Sequence, residues 1–254
     1  MTKINKFKQI KSELINIFPE KSDIEIEKLV EHTMCTNTLH ELIEVEKWYE
    51  DVVIKLKTKV EIVDINDCEN WETDENGNIQ HSTNKFFKII GVKVSNSSSR
   101  EVGNKGWSQP IIAETTEDGG LLGLVRSSIN GLPHYLVEAK FEPGNVNFVQ
   151  LSPTLQATFS NINRAHGGVQ PKYLDIFNDY ENNEEDYIFK QWFSEDGGRL
   201  FNKRNLGLVK NVNYEDISEI QENFYWISLY QIRHFLSKGP YVNPHLARLI
   251  FMYQ

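Results

Sequence analysis

The chain has 254 residues, of which 39% are hydrophobic and 25% are charged, and its formal net charge is −9. This composition is typical of a soluble globular protein, and no apolar run approaches the ~18 to 20 residues that a membrane helix needs. The acidic balance argues against a nucleic-acid binder, and the N-terminus lacks the apolar core of a signal peptide, so we expect a cytoplasmic protein without nucleic-acid or membrane partners.

The first quarter of the chain has a helical pattern. Apolar side chains recur there at three- and four-residue steps over residues 3–58. Ser22 and Thr38 stand before two of these runs and are residue types that often cap helices. We therefore predict an N-terminal helical segment over residues 1–45, followed by a single domain over residues 46–254.

The chain changes character at Val60, where short β-branched and aromatic runs alternate with Gly, Asn and Ser. Apolar spacing predicts further helices over about residues 171–192 and 216–237, the second of which ends at Gly239. The fold class is therefore α+β, with a curved mixed or antiparallel sheet flanked by helices. The predicted strands include VEIVDI (60–65), KFFKIIGVKV (85–94), PIIAET (110–115), LLGLVR (121–126), YLVEAKFE (135–142), NFVQLS (147–152) and QATFSN (156–161).

Several common cofactor motifs are absent from the sequence. There is no GxGxxG dinucleotide motif, no P-loop, no HExxH and no GxSxG nucleophile elbow. The seven histidines have no short metal-ligand spacing, and the two cysteines, Cys35 and Cys68, form neither a CxxC motif nor a disulfide framework. We therefore expect no cofactor and no metal, and both cysteines as reduced thiols.

Eight segments, in this order, resemble the NDP-hexose 2,3-dehydratase family over about residues 45–250. LSPTLQAT beside EPGN is the most specific part of the resemblance, and Asn84 departs from it because the family tends to have glycine there. The eight segments are HSTNKFF (81–87), GWSQPII (106–112), GLLGLVR (120–126), EPGN (142–145), LSPTLQATFSN (151–161) with the following HGG, SEDGGRLFNKRN (194–205), FYWISLYQI (224–232) and VNPHLAR (242–248).

The resemblance implies an enzyme that dehydrates nucleotide-linked 4-keto-6-deoxy-hexoses without a redox cofactor. Family members carry two copies of the unit in one polypeptide, each with a Nudix-like fold, whereas this chain has one copy and no Nudix box. A homodimer is therefore expected to replace the two-copy polypeptide. A noncatalytic nucleotide-sugar-binding subunit is the alternative, and a Nudix-like hydrolase ranks last.

The resemblance also suggests roles for individual residues. Glu142 and His166 are the candidate proton-transfer pair, although a glutamate before Pro-Gly can instead cap a turn and a histidine beside glycines can instead hold a loop. Trp107 either stacks on the nucleobase or packs in the core. Five polar residues on predicted strands are expected to line a sugar pocket, four basic residues are expected at the diphosphate, and Asn205 is expected to bind the substrate. The first set is Gln109, Gln150, Ser152, Gln156 and Ser160, and the second is Arg199, Lys203, Arg204 and Arg248.

Overall fold

The computed structural model has an α+β fold, which confirms the predicted class. Across the part of the chain that it describes, six α-helices accompany one four-stranded and one seven-stranded sheet. The narrower assignment to a Nudix-like fold stays a prediction. The described residues are 2–33, 39–95, 105–115, 119–164, 169–183, 186–217 and 219–253.

Three helices form the N-terminal part, as the apolar periodicity predicts. They are α1 (Lys3–Ile17), α2 (Asp23–Thr33) and α3 (Leu42–Lys55). At the start of α2, the backbone N–H of Ser22 donates to the Glu25 carboxylate at 2.8 Å, which confirms the predicted helix start.

The start of α3 differs from the prediction in its capping residue. The residue before this helix is Glu41, and its backbone N–H donates to the Glu44 carboxylate at 2.7 Å. Thr38, the predicted cap, lies outside the described residues.

Three further helices lie in the C-terminal half of the chain. They are α4 (Phe159–Ile162), α5 (Leu229–Lys238) and α6 (Pro244–Tyr253). Gly239 ends α5 with φ of +130°, as the sequence predicts. None of the helices in the described ranges has the length and apolar character needed to cross a membrane.

The smaller sheet is antiparallel and follows the chain order β1-β2-β3-β4. At its junction with the larger sheet, the backbone N–H of Ile112 donates to the carbonyl of Arg199 at 2.9 Å. This sheet consists of β1 (Trp71–Thr73), β2 (Ile79–His81), β3 (Phe87–Val94) and β4 (Trp107–Glu114).

The larger sheet has the order β11-β6-β5-β10-β9, and β7 pairs with β6 while β8 pairs with β5. The β5 and β10 strands are parallel, and all other pairs among the described strands are antiparallel. Its strands are β5 (Gly120–Ile129), β6 (Leu132–Phe141), β7 (Val149–Ser152), β8 (Leu155–Thr158), β9 (Tyr187–Ser194), β10 (Arg204–Asn211) and β11 (Phe224–Ile227).

Some predicted elements are wrong. Residues 60–64 form no strand, and residues 171–192 contain a short 3-10 turn and most of β9 instead of a helix. The helix predicted over residues 216–237 is a strand followed by α5, which begins at Leu229. In the second and third regions, an apolar spacing compatible with a helix belongs to strands that pair with β10 and β6. Strand pairing therefore overrides the local pattern there.

The core lies on both faces of the larger sheet, with β5 at its centre. Leu122 and Leu124 pack in a cluster with residues of α3, α5 and α6, whereas Leu121 and Val125 pack in a second cluster with Phe177. A fully buried Leu contributes roughly 1.5–3 kcal/mol relative to an exposed one. Burial on both faces explains why residues 121–125 of this strand are continuously apolar.

The N-terminal helices are attached to the larger sheet by apolar contacts and a buried ion pair. Phe7 and Ile26 pack with Leu132 of β6. The Arg126 side chain of β5 is 1% exposed and donates to the Glu27 carboxylate at 2.5 Å.

Asn84 keeps the turn that glycine would make at this position. Its φ is +50°, in the left-handed region that asparagine tolerates better than most residues, and its backbone N–H donates to the His81 carbonyl at 2.8 Å. The departure from the family pattern therefore leaves this turn intact.

Candidate functional site

A cleft of about 410 Å³ opens where the ends of β6, β8 and β10 meet the first turn of α6. Apolar side chains of β5 and β6 form part of its wall. Its polar lining consists of Lys140, Glu142, Gln156, Thr158, Asn161, Lys203, Asn205 and His245.

A tight turn brings Glu142 to the cleft. Strand β6 ends at Phe141, and the backbone N–H of Asn145 then donates to the Glu142 carbonyl at 3.1 Å. Pro143 and Gly144 occupy the centre of this turn, where a fixed φ and a missing side chain favour a reversal. Glu142 thus has a turn-forming backbone and a side chain that lines the cleft.

A network of amides and one hydroxyl fixes the Glu142 carboxylate. Gln156 Nε2 donates to Glu142 Oε1 at 2.8 Å. The side-chain amide oxygen of Gln156, Oε1, accepts hydrogen bonds from Ser152 Oγ at 2.9 Å and from Asn243 Nδ2 at 2.8 Å. Asn243 in turn caps α6, because its Oδ1 accepts from the Leu246 backbone N–H at 2.8 Å. The Gln156 amide is therefore held with its NH₂ group towards Glu142.

Two lysines give the cleft positive charge. Lys140 Nζ donates to the backbone carbonyl of Gln156 at 3.0 Å and lies 3.9 Å from the Glu138 carboxylate. Burial raises the pKa of Glu138, although the nearby Lys140 opposes this shift. Lys203 contacts the Glu114 carboxylate of β4. Burial lowers the pKa of Lys203 to about 8, and the adjacent carboxylate favours its ammonium form, so we take Lys203 as charged at neutral pH.

The α6 side of the cleft holds the Glu195 cluster, which consists of Glu195, Asn205, His245 and Arg248. The Glu195 side chain is 8% exposed and accepts two hydrogen bonds from Arg248, at 2.9 and 3.3 Å. Asn205 Nδ2 also donates to Glu195, at 2.8 Å. His245 Nδ1 lies 3.7 Å from the same carboxylate, which is within ion-pair range but longer than a hydrogen bond. Burial lowers the pKa of His245, and Glu195 opposes this shift.

The cleft brings together four of the predicted site residues, namely Glu142, Gln156, Lys203 and Asn205. Ser152 is hydrogen-bonded to Gln156, so it lies directly behind the lining. Ser160 is in α4 and not on a strand as predicted, because the chain turns into a helix after Thr158. Its hydroxyl and that of Thr158 are 2.9 Å apart. As substrate contacts, all of these assignments stay predictions.

Three other predicted pocket residues make contacts away from the cleft lining. Trp107 Nε1 donates to Gln109 Oε1 at 2.8 Å, and Gln109 Nε2 donates to the carbonyl of Gly198 at 2.7 Å. Gln150 donates to the Pro240 carbonyl at 2.8 Å. These hydrogen bonds join β4 to residues 196–201 and β7 to the end of α5.

The predicted arginines of the diphosphate grip are dispersed. Arg199 is exposed and pairs with Asp196 at 2.5 Å. The Arg204 guanidinium lies 4.4 Å above the centre of the Trp192 ring. Arg248 makes the bidentate contact with Glu195 described above, and His166 lies outside the described residues.

Sequence reasoning missed Lys140, Asn243 and His245. The signal was present, because Lys140 stands two residues before Glu142 in EAKFEPGN and the other two lie in VNPHLAR. A search for histidines and carboxylates at short spacing could not pair His245 with Glu195, which the fold brings together from distant parts of the chain. Within the described ranges, no group of three His, Cys, Asp or Glu side chains is arranged to hold a metal ion.

A sequence model described as NDP-hexose 2,3-dehydratase matches residues 42–252 of the chain. The chain belongs to the NDP-hexose 2,3-dehydratase family. The segments that line the cleft, from β6 to α6, all lie inside the matched range.

Curated relatives of this dehydratase family chain come from three organisms, and each is called dTDP-4-dehydro-6-deoxy-α-D-glucopyranose 2,3-dehydratase. The relative from Streptomyces violaceoruber is 34% identical over 182 residues, which is 71% of this chain and 39% of the relative. The relative from Amycolatopsis orientalis is 33% identical over 175 residues, with shares of 68% and 36%. The relative from Saccharopolyspora spinosa is 35% identical over 174 residues, with shares of 68% and 34%. Each match thus spans less than two fifths of the relative's own length.

Proposed function

We propose that the protein is a nucleotide-sugar 2,3-dehydratase, a carbon–oxygen lyase that acts on a dTDP-linked 4-keto-6-deoxy-hexose in deoxysugar biosynthesis. The observation that carries the proposal is the cleft, in which a carboxylate fixed by Gln156 faces two lysines and an imidazole. The names of the relatives support the choice of substrate.

The proposed reaction is an elimination. The C4 ketone acidifies the C3 hydrogen, a base removes that proton, and the C2 hydroxyl leaves as water after it accepts a proton. The resulting enol tautomerises to the 3,4-diketo-2,6-dideoxy sugar. The site must therefore supply a base, an acid and positive charge near the developing enolate and the diphosphate.

Glu142 is the proposed base. It is the carboxylate among the described residues that line the cleft, and the Gln156 amide holds it in one orientation. Carboxylates remove protons next to carbonyl groups efficiently when the carbonyl oxygen meets a donor. Lys140 and Lys203 are proposed to supply positive charge near the enolate oxygen and to contact the diphosphate. His166 stays a proposed partner in proton transfer.

The neutral polar groups are proposed to bind the hexose. Gln156, Thr158 and Asn205 lie on the cleft wall, and amides and hydroxyls suit sugar hydroxyl groups because they both donate and accept hydrogen bonds. The exposed guanidiniums of Arg199 and Arg204 are proposed as diphosphate contacts only at the rim.

We propose that the active form is a homodimer located in the cytoplasm. Each match covers less than two fifths of its relative, so a pair of these chains would approach the relatives' size. Light scattering of the purified protein at micromolar concentration is expected to give the mass of a dimer, and a monodisperse monomer would contradict this part of the proposal.

The second candidate is a noncatalytic nucleotide-sugar-binding subunit. The short coverage of the relatives favours it, because a chain that corresponds to part of an enzyme can keep a pocket without its chemistry. Both candidates predict that the protein binds the nucleotide sugar, but only the dehydratase predicts that it converts the sugar.

The test is to incubate the protein with enzymatically prepared dTDP-4-keto-6-deoxyglucose in D₂O and to follow the nucleotide sugar by mass spectrometry. Loss of one water, with deuterium uptake, is expected for the wild-type protein. Glu142→Gln is expected to lower turnover at least about 100-fold without weakening dTDP binding. Glu222→Gln is the matched control, because Glu222 is an exposed glutamate paired with Lys55. Binding without turnover in the wild-type protein would favour the subunit, and absence of both would contradict the substrate class.

A further inference from the structure

We propose that His245 is the acid that protonates the leaving C2 hydroxyl, and that Glu195, held by Arg248, is the positioning residue for its ring. The inference rests on the function proposed above. It assigns Arg248 a contact with Glu195 in place of a direct contact with the diphosphate.

His245 lines the cleft at the start of α6. It is the second residue of α6, and Asn243 caps this helix through the Leu246 backbone N–H. Asn243 also donates to Gln156, which holds Glu142. The hydrogen bonds that fix the proposed base therefore also fix the first turn of α6, and the proposed acid on that turn lines the same cleft.

A fixed carboxylate lies next to the His245 ring. Glu195 is 8% exposed, and its oxygens are already bound by Arg248 and Asn205, so it is fixed before any substrate arrives. Its Oε1 lies 3.7 Å from His245 Nδ1, and this nitrogen is buried without a hydrogen-bond partner in the described structure. A carboxylate beside Nδ1 favours a proton on that nitrogen and leaves Nε2 for the substrate.

Charged groups of both signs act on the His245 ring. Glu195 and Glu142 favour the imidazolium, whereas burial, Arg248 and Lys140 disfavour it. Lys203 lines the same cleft and adds positive charge. When Glu142 takes a proton, one of the two stabilising negative charges disappears. The imidazolium then becomes a stronger acid at the moment when the C2 oxygen needs a proton.

The proton balance closes within the cleft. Glu142 takes the proton from C3, and the C3–H electron pair forms the C3–C4 double bond of an enolate with its negative charge on the C4 oxygen. The C4 ketone then re-forms, the C3–C4 electron pair forms the C2–C3 double bond, and the C2–O bond breaks. The leaving oxygen takes a proton from His245 Nε2 and departs as water. The proton on Glu142 then returns to His245, so the enzyme ends in its starting state.

Two variants test the proposal. His245→Asn is expected to lower turnover at least about 100-fold but to keep enzyme-dependent deuterium uptake at C3, since Glu142 still removes that proton. His234→Asn is the matched control, because His234 contacts Glu46 outside the cleft. Its turnover is expected to equal that of the wild type.

Glu195→Gln tests the positioning role through the pH profile. The acid works only when protonated, so turnover falls as pH rises through the pKa of His245. Removal of the Glu195 charge lowers that pKa, and the falling limb is expected to move about 0.5–1 pH unit lower. A contact that only supports the fold would lower the rate without moving the limb.

The outcomes separate this inference from the proposed function. Wild-type turnover together with a His245→Asn variant within threefold of the wild type would overturn the inference and leave the function standing. An unmoved pH limb in Glu195→Gln would overturn the positioning role. Wild-type protein that neither binds nor converts the sugar would overturn the function and the inference with it.

Discussion

Substitution of Glu27 by Gln should destabilise the protein strongly, although Glu27 lies outside the matched family segment. The Arg126 guanidinium is 1% exposed and depends on the Glu27 carboxylate at 2.5 Å and on Asn211 Oδ1 at 2.8 Å. Removal of one partner of a buried ion pair costs about 3–5 kcal/mol. Glu27 is 14% exposed and Gln retains a hydrogen-bond acceptor, so we expect the smaller value of about 2–3 kcal/mol.

Urea unfolding at pH 7, followed by circular dichroism, measures this loss. Glu13→Gln is the matched control, because Glu13 is an exposed residue of α1 and its change should stay within about 0.5 kcal/mol. The double variant Glu27→Gln/Arg126→Met should recover part of the loss, because no buried charge is then left without its partner. If Glu27→Gln unfolds at the same urea concentration as the wild type, the buried ion pair does not stabilise the fold and the reasoning is refuted.

The same pair predicts a pH dependence. Burial alone would raise the pKa of Glu27, but the hydrogen bonds and charges of Lys11 and Arg126 prevail and lower it. A lowered folded-state pKa gives stability that is present above the unfolded pKa and is lost as pH falls through the folded one. The difference between wild type and Glu27→Gln should therefore be constant from about pH 7 to 5 and shrink below about pH 4.

Three further predictions concern stability. Gly207→Ala should cost about 1–3 kcal/mol in urea unfolding, because the added Cβ would overlap the Phe193 ring. Asn84→Ala should cost about 1 kcal/mol, since Asn84 has φ of +50°, while Asn84→Gly should be neutral within about 0.5 kcal/mol in the same assay. Burial lowers the pKa of His134 to about 4, so the free energy of unfolding should fall by up to about 3 kcal/mol between pH 6.5 and 4, and His134→Gln should flatten that slope.

The fold could be predicted where local patterns decide the structure. The N-terminal helices follow from three- and four-residue periodicity, and β3 to β8 follow from β-branched runs between turn residues. The strands β9 and β11 could not be predicted this way, because they exist only through pairing with β10 and β6. Their apolar spacing alone is compatible with a helix, and the partner of β11 is far away in sequence.

Part of the cleft could be predicted from the sequence, because some of its residues lie in recognisable local segments. Glu142 and Gln156 stand in the two most specific family segments, EPGN and LSPTLQAT, so the resemblance pointed to them directly. The Glu195 cluster depends on where α6 meets the end of β9, which no local spacing encodes. The positive residues of 199–204 were grouped by sequence, yet Lys203 lines the cleft while Arg199 pairs with Asp196. Charge clustering along a chain says little about which side chains point to one site.

The chain matches less than two fifths of each curated relative, and the described lining of the cleft shows what one copy of the unit provides. All eight of its polar groups come from this one chain, and the hydrogen bonds that hold Glu142 and the Glu195 cluster are made within it. A second copy is therefore not needed to bring these groups together. A proposed dimer would act on the site by other means, by covering the cleft or by supplying further diphosphate contacts. In a two-copy polypeptide such a neighbour is present at high effective concentration, whereas separate chains must bind each other tightly enough to keep it.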